Sequence, residues 1–200
     1  MSETRRVSPL AAILKPGTHG HLVHGPAVHL STRLCRSLVQ VQSWPDTNAK
    51  VQNLLAAHIG TPLSKDHQAV VTKGGSHIIP TGPGRYWIES DQPGLDTTLR
   101  GQITSDMGAV TGLTHSRVVV TVKGEKAAWL LATGIGIDFA EHAFPAGSVR
   151  LTHHHEIGLT INRVDAQTFE LYAFTSYARG LWHWLTEAAS EVGYEVAAAS

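Results

Sequence analysis

An internal repeat is the feature that most constrains the fold of this 200-residue chain. Residues 37–42 have the composition of a strand and precede a helical segment with apolar side chains at Val51 and Leu55. About 80 residues later, residues 117–122 again read as a strand, and a short apolar helix follows and ends at Gly134. Gly134 lies in GIGID (residues 134–138), which lacks the third glycine of a dinucleotide-binding turn, so we expect a helix end there.

The later parts of the two halves also match. Residues 84–89 and 167–172 both read as strands, and each leads into a helical segment with apolar residues on one face. Further strands are expected around residues 78–79 and 159–161. Each half therefore reads as a strand, a helix, two strands and a helix. Two matches in register indicate a duplication.

This element order predicts an α+β fold of two ferredoxin-like lobes, with the helices on one face of mostly antiparallel sheets. We expect one compact body made of a first lobe at residues 34–105 and a second at residues 106–200. Residues 1–33 contain three prolines and no clear period, so they are predicted to form an extended N-terminal arm that lies across a partner.

The charge balance argues against nucleic-acid and membrane partners. The chain has 16 Lys and Arg against 16 Asp and Glu, and only 16% of its residues are charged. A neutral surface with little charge favours a complex. The single cysteine, Cys35, cannot form an internal disulfide, and no run reaches the length of about 18 apolar residues that a membrane span needs. We therefore expect a cytoplasmic protein.

Two motifs have the residue types of a ligand site. His153, His154, His155 and Glu156 are typical metal ligands, but on a strand only His153 and His155 share a face, so a polar strand or interface patch is the favoured interpretation. TGPGRYW (residues 81–87) fits either an anion-binding turn that uses Arg85 or a hairpin turn before a buried aromatic strand, and the hairpin is favoured.

Pairs of potential catalytic groups are also present, without a persuasive pattern. They are Cys35 with His29, Asp106 with His115, and Asp138 with His142. No Gly-x-Ser-x-Gly motif occurs. Trp182, Trp184 and Tyr194 fit a core or an interface better than a nucleotide-stacking platform. The sequence thus assigns no catalytic, cofactor-binding or metal-binding residue.

Several segments, in order, resemble the gamma-subunit family of heterotetrameric sarcosine oxidases. The second-half segments are LTHSR (residues 113–117), GEKAAWLL (124–131), IDF (137–139), AFPAGSVR (143–150), FELY (169–172), SYARGLWHWL (176–185) and GYEV (193–196). The first-half segments are SPLA (8–11) and GPGRYWI (82–88). The resemblance covers roughly residues 8–196.

This resemblance implies a fold similar to the folate-binding part of the glycine-cleavage T-protein. It also implies a noncatalytic subunit of a bacterial complex that demethylates sarcosine oxidatively to glycine and hydrogen peroxide, and to methylenetetrahydrofolate when tetrahydrofolate is present. The partners would be the alpha, beta and delta subunits, with alpha contacted most directly. Those subunits would hold FAD, FMN, NAD, zinc and tetrahydrofolate, and this chain would hold none of them.

Three alternatives stay open from the sequence. The chain could be a free-standing folate-binding or aminomethyltransferase-like protein, for which Asp106 and Asp138 are the candidate acidic residues. It could serve an oxidase for another N-methylated amino acid. It could also be a metal-dependent enzyme built on His153 and His155.

Overall fold

A computed structural model describes residues 7–23 and 25–198. The helices in these residues are α1 (Asn48–Ile59), α2 (Leu95–Gln102), α3 (Ala127–Ala132) and α4 (Ala178–Ala189). The strands are β1 (Gly17–His19), β2 (Val28–Arg33), β3 (Ser37–Ser43), β4 (Val71–Lys73), β5 (Ser76–Gly82), β6 (Arg85–Ser90), β7 (Gly108–Gly112), β8 (Arg117–Lys123), β9 (Ser148–His154), β10 (Ile157–Asp165), β11 (Thr168–Phe174) and β12 (Tyr194–Val196). None of these helices is long and apolar enough to cross a membrane.

The duplication is visible in the order of the elements. β3-α1-β4-β5-β6-α2-β7 and β8-α3-β9-β10-β11-α4-β12 have the same succession of strands and helices. The first set of strands forms a five-stranded sheet in the order β4-β5-β6-β3-β7, and the second forms most of a seven-stranded sheet in the order β1-β12-β2-β8-β11-β10-β9. The predicted α+β class is confirmed. Each half has two strands more than predicted, namely β4 and β7 in the first half and β9 and β12 in the second.

The N-terminal stretch contributes to the larger sheet. β2 lies within the predicted arm, residues 1–33, and is inserted between β8 and β12, antiparallel to β8 and parallel to β12. In the smaller sheet the equivalent strands, β3 and β7, pair directly. These residues form a strand because Val28 and Leu30 alternate with polar residues and are fully buried, which is the pattern of a sheet strand.

The strand pairing also bears on where the first repeat ends. The sequence places the end of the first lobe at residue 105, whereas β7 begins at Gly108 and pairs with β3 through residues 39–43. The pairing therefore extends the first repeat to Gly112. Ser105 and Asp106 lie in the turn that leads into this strand, and Gly108 is the first residue of β7.

The two sheets pack face to face, and each carries its helices on its outer face. Residues from α1 and α2 form one apolar core with one face of the smaller sheet, and residues from α3 and α4 form another with the larger sheet. A third, smaller cluster lies between the sheets and consists of Cys35, Leu38, Ile79, Trp87, Val119, Val149 and Tyr172. The layers are therefore helices, sheet, sheet, helices.

Helix α1 shows how the sequence sets these outer layers. Its buried side chains, Val51, Leu55 and Ile59, recur every four residues and so lie on one face. The helix ends at Gly60, whose φ of 70° is in the left-handed region and whose N–H bonds to the carbonyl of Ala56. Glycine adopts this conformation without a steric cost, so it stops the helix at the sheet edge.

Candidate functional site

A buried ionic cluster joins the two sheets. Arg33 at the end of β2 donates to both carboxylate oxygens of Glu89 on β6, with a distance of 3.1 Å between Nη2 and Oε2. The same guanidinium donates to Glu170 on β11, at 2.9 Å from Nη2 to Oε1. The Tyr172 hydroxyl donates to Glu89 Oε2 at 2.7 Å. One guanidinium therefore links three strands from both sheets.

Burial and the ion pair with Arg33 have opposite effects on the pKa of Glu89. Burial alone raises the pKa of Glu89, but the hydrogen bond and charge of Arg33 outweigh it, so the pKa of Glu89 lies below its ordinary value. Burial raises the pKa of Tyr172 well above its usual range, and the nearby Glu89 carboxylate adds to this. At neutral pH the cluster therefore contains an ionised Glu89, a charged Arg33 and a neutral phenol.

The contacts of this cluster favour a structural role over proton transfer. Its charged groups are hydrogen-bonded to one another, and Asn162 also donates to Glu170 at 3.3 Å. A general acid or base would need a pKa near the working pH, whereas pairing with Arg33 moves that of Glu89 away from neutrality. Sequence reasoning missed this cluster. The available signal was Glu89 at an inward position of a strand that otherwise buries aromatic and aliphatic residues.

The histidine segment does not form a metal-binding arrangement. His154 is buried and stacks on Trp184 of α4, with ring centroids 3.9 Å apart, and its Nδ1 lies 2.9 Å from the carbonyl oxygen of Gly134. His153 and His155 are exposed, and His155 occupies the hairpin turn with φ of 48°. Across residues 7–23 and 25–198, no three His, Cys, Asp or Glu side chains are grouped so that they could hold a metal ion.

Gly134 has a spatial role as well as marking the helix end. α3 ends at Ala132 with Thr133 as its cap, so the predicted helix end is confirmed. A Cβ atom on Gly134 would lie 2.7 Å from His154 Nδ1 and 2.7 Å from Trp184 Cζ2. The backbone therefore passes close under the stacked rings of His154 and Trp184, and only glycine leaves room for them.

The glycine-rich segment at residues 81–87 forms the hairpin turn between β5 and β6, as the favoured interpretation predicts. The Arg85 guanidinium donates to the carbonyl of Thr81 within the same turn, at 3.3 Å. The turn lines a cavity of about 480 Å³ shared with Val149, Arg150 and Leu151. Arg85 is thus used locally and does not point to an anion site.

The other candidate pairs have separate surroundings. Cys35 is buried between the sheets, while His29 bonds to Glu195 Oε2 at 3.0 Å. Asp106 is fully exposed, and its pKa is lowered by a hydrogen bond from Thr104. Asp138 and His142 do approach each other, at 3.8 Å, but both are exposed on the surface. His29 lines a cleft with His21 and Lys123, and His115 lines another with Arg36 and Asp96, but neither cleft contains the partner that the sequence suggested, Cys35 or Asp106.

The chain matches no protein-family model. The sarcosine oxidase subunit gamma of Corynebacterium sp. strain U-96 is 25% identical over 187 residues, which are 93% of this chain and 91% of that subunit. A chain of the heterotetrameric sarcosine oxidase from Corynebacterium sp. U-96, solved in complex with pyrrole 2-carboxylate, superposes with a TM-score of 0.78 and 24% identity. That superposition covers 92% of this chain and 95% of the other.

A more distant structural likeness concerns the glycine cleavage system. Aminomethyltransferase T from Bartonella henselae superposes with a TM-score of 0.56 and 14% identity, over 85% of this chain and 47% of that enzyme. This likeness establishes the fold, and this chain spans about half of that enzyme. The predicted T-protein-like fold is confirmed, and the chain is similar to the sarcosine oxidase gamma subunit over 93% of its length, as its sequence segments indicate.

Proposed function

We propose that this chain is a noncatalytic gamma-type subunit of a complex that oxidatively demethylates sarcosine to glycine and hydrogen peroxide. The observation that carries the proposal is the end-to-end match to a sarcosine oxidase subunit gamma, over 93% of this chain and 91% of that subunit. The similarity of fold over 92% of the chain supports the same assignment.

The noncatalytic role is supported by how the chain uses its reactive side chains. The buried carboxylate Glu89 is bound to Arg33, and Cys35 lies in the layer between the sheets. Both side chains therefore have a structural explanation in the layer between the sheets. The redox chemistry would belong to the other subunits, alpha, beta and delta, which would hold FAD, FMN, NAD, zinc and tetrahydrofolate. The alpha subunit would be the most direct partner, in a reducing cytoplasm that suits a lone thiol.

The test is assembly. A tagged form of this chain is co-expressed with the other three subunits, and the eluate is examined by gel electrophoresis and by its absorption spectrum. The expected result is a yellow complex with flavin bands, three companion chains and hydrogen peroxide formation with sarcosine. A chain that purifies alone and colourless, or that oxidises sarcosine without companions, would overturn the proposal.

Three other assignments are tested with the complex or with the isolated chain. If the isolated chain binds tetrahydrofolate in calorimetry, the free-standing folate-binding function replaces the proposed one. If the complex assembles but prefers another N-methylated amino acid, the subunit role stands and the substrate changes. Metal analysis of the isolated chain tests the zinc enzyme built on His153 and His155, for which we expect no stoichiometric zinc.

A further inference from the structure

One end of the inner face of the seven-stranded sheet carries exposed side chains beside Arg117, which is itself only 9% exposed and lies next to Trp87 of the smaller sheet. We call this area the open sheet end and define it by the residues Arg117, Leu151, His153, Gly158 and Phe174. Leu151 is 53% exposed and Phe174 is 47% exposed, although both are large apolar residues on strands. His153 and Gly158 are exposed as well.

The strand register places these residues side by side. Leu151 lies two positions from Val149, which packs between the sheets, and alternate residues of a strand share a face. Thr160 is opposite both Leu151 and Tyr172, so β9, β10 and β11 present one continuous surface.

The next row of the same face completes the open sheet end. His153 is opposite Gly158, and Phe174 is opposite Arg117. Gly158 has no side chain, so a slot separates His153 from Phe174. The open sheet end therefore presents the exposed apolar side chains of Leu151 and Phe174, with a gap at Gly158 between His153 and Phe174.

Arg117 gives this area its charge. Its guanidinium lies 3.6 Å from the ring centroid of Phe174 and 5.2 Å from that of Trp87. Its hydrogen bonds go to the carbonyl and hydroxyl of Ser116, and none of the ion pairs among residues 7–23 and 25–198 includes it. Burial lowers the pKa of Arg117, as expected for a cation that lacks a carboxylate neighbour.

The contrast with Arg33 is informative. Arg33 lies in the same inter-sheet layer and is bound to two carboxylates, whereas Arg117 is held between aromatic rings. The open sheet end carries a guanidinium and an imidazole, and its five residues include no acid. A surface that combines an unneutralised arginine with exposed aromatic and aliphatic side chains is complementary to a carboxylate flanked by apolar groups.

We infer that the open sheet end is the docking surface for another subunit of the oxidase complex, which places an Asp or Glu carboxylate against Arg117 and apolar side chains on Phe174 and Leu151. This inference rests on the proposed function. Docking would remove the side chains of Leu151 and Phe174 from water and supply a carboxylate partner, which Arg117 does not have among residues 7–23 and 25–198.

The test introduces charged side chains at exposed positions of the open sheet end and measures assembly of the full four-subunit complex. Phe174→Glu and His153→Glu place a negative charge where the partner's carboxylate would lie, and His153→Lys places a positive charge there. The matched controls are Val164→Glu and Val164→Lys, because Val164 is 47% exposed and lies on the same sheet, in β10, near the opposite end of that strand. The readout is the flavin absorbance recovered per tagged chain.

We expect both glutamate variants to reduce recovered flavin at least about fivefold, since like charges at an interface are strongly unfavourable. The Val164 variants should stay within about twofold of the unmodified chain, and His153→Lys should do the same. Thermal unfolding of each isolated variant checks that the chain still folds. His153 is exposed, so we expect its variants to unfold near the temperature of the unmodified chain, whereas Phe174→Glu exchanges the ring contact with Arg117 for a carboxylate and is compared under conditions in which it is folded.

Each contrary outcome has a distinct meaning. If the unmodified chain recovers flavin and the glutamate variants do too, the docking surface is wrong while the proposed function stands. If His153→Lys disrupts assembly as strongly as His153→Glu, the acidic partner is wrong. If the isolated chain is a dimer that Phe174→Glu converts to a monomer, the occupant is a second copy. If the unmodified chain recovers no flavin, the proposed function fails and this inference falls with it.

Discussion

Replacing Arg33 by methionine tests the energetic role of the buried ionic cluster. The substitution keeps the aliphatic stem and removes the cation that pairs with Glu89 and Glu170. The Glu89 side chain is only 6% exposed, so its charge is left buried without its partner. Breaking a buried pair in this way costs about 3–5 kcal/mol, and the 32% exposure of Arg33 favours the lower end, about 3 kcal/mol.

The loss should depend on pH in a defined direction. In the unmodified chain the pKa of Glu89 lies below 4.5, so its stabilising contribution is present above that pH and is lost as the pH falls through the folded-state value. In Arg33→Met, burial acts without the compensating cation and raises the pKa of Glu89. The carboxyl then takes up a proton more readily, and the difference in stability between the two proteins shrinks from pH 7 towards pH 4.

The assay is urea unfolding followed by tryptophan fluorescence at a series of pH values. Arg36→Met is the matched control, because Arg36 is exposed three positions away, and we expect it to change the free energy of unfolding by less than about 0.5 kcal/mol. Adding Glu89→Gln to Arg33→Met should restore at least half of the loss, because it removes the uncompensated charge. A loss below about 1 kcal/mol at pH 7, or one that does not decline on acidification, would refute this reasoning.

The other predictions concern packing and accessibility. Gly134→Ala should destabilise the chain by about 1–3 kcal/mol in thermal or urea unfolding, because its Cβ would meet the His154 and Trp184 rings, whereas Gly136→Ala has open space and should have little effect. Phe144→Ala should cost about 3–5 kcal/mol, since this ring is fully buried, against less than about 1 kcal/mol for the exposed Ser64→Ala. Cys35 should react with Ellman's reagent only after denaturation, because it is buried; rapid reaction of the native chain would contradict its position between the sheets.

The sequence predicts the long periodic elements well for a physical reason. Segments such as 117–122 and 176–192 carry strong strand or helix patterns, and these correspond to β8 and α4. β4 and β12 are only three residues long, so neither has enough positions to show a period. The strand β7 is rich in glycine, and its pairing with β3 decides its conformation.

The ionic cluster was harder to predict because it depends on which faces of the two sheets pack against each other. Glu89 and Tyr172 lie on different sheets, and their contact follows from the packing of two sheets whose relative position no local pattern records. The histidine motif shows a different limit, because residue types alone do not give the contacts that these side chains make. Its residue types are those of metal ligands, yet the strand alternation that separates His154 from its neighbours places it against Trp184 in the packed structure.

The strand β2, which precedes the repeat, explains both how the two sheets differ and how they are joined. The two halves share one strand order, and the larger sheet departs from it because β2 is inserted between β8 and β12. Val28 and Leu30 secure that insertion by full burial, and Arg33 at its end carries the guanidinium that reaches across to the smaller sheet. The duplication alone therefore accounts for two similar sheets with helices outside, and the N-terminal strand supplies the ion pair that joins them.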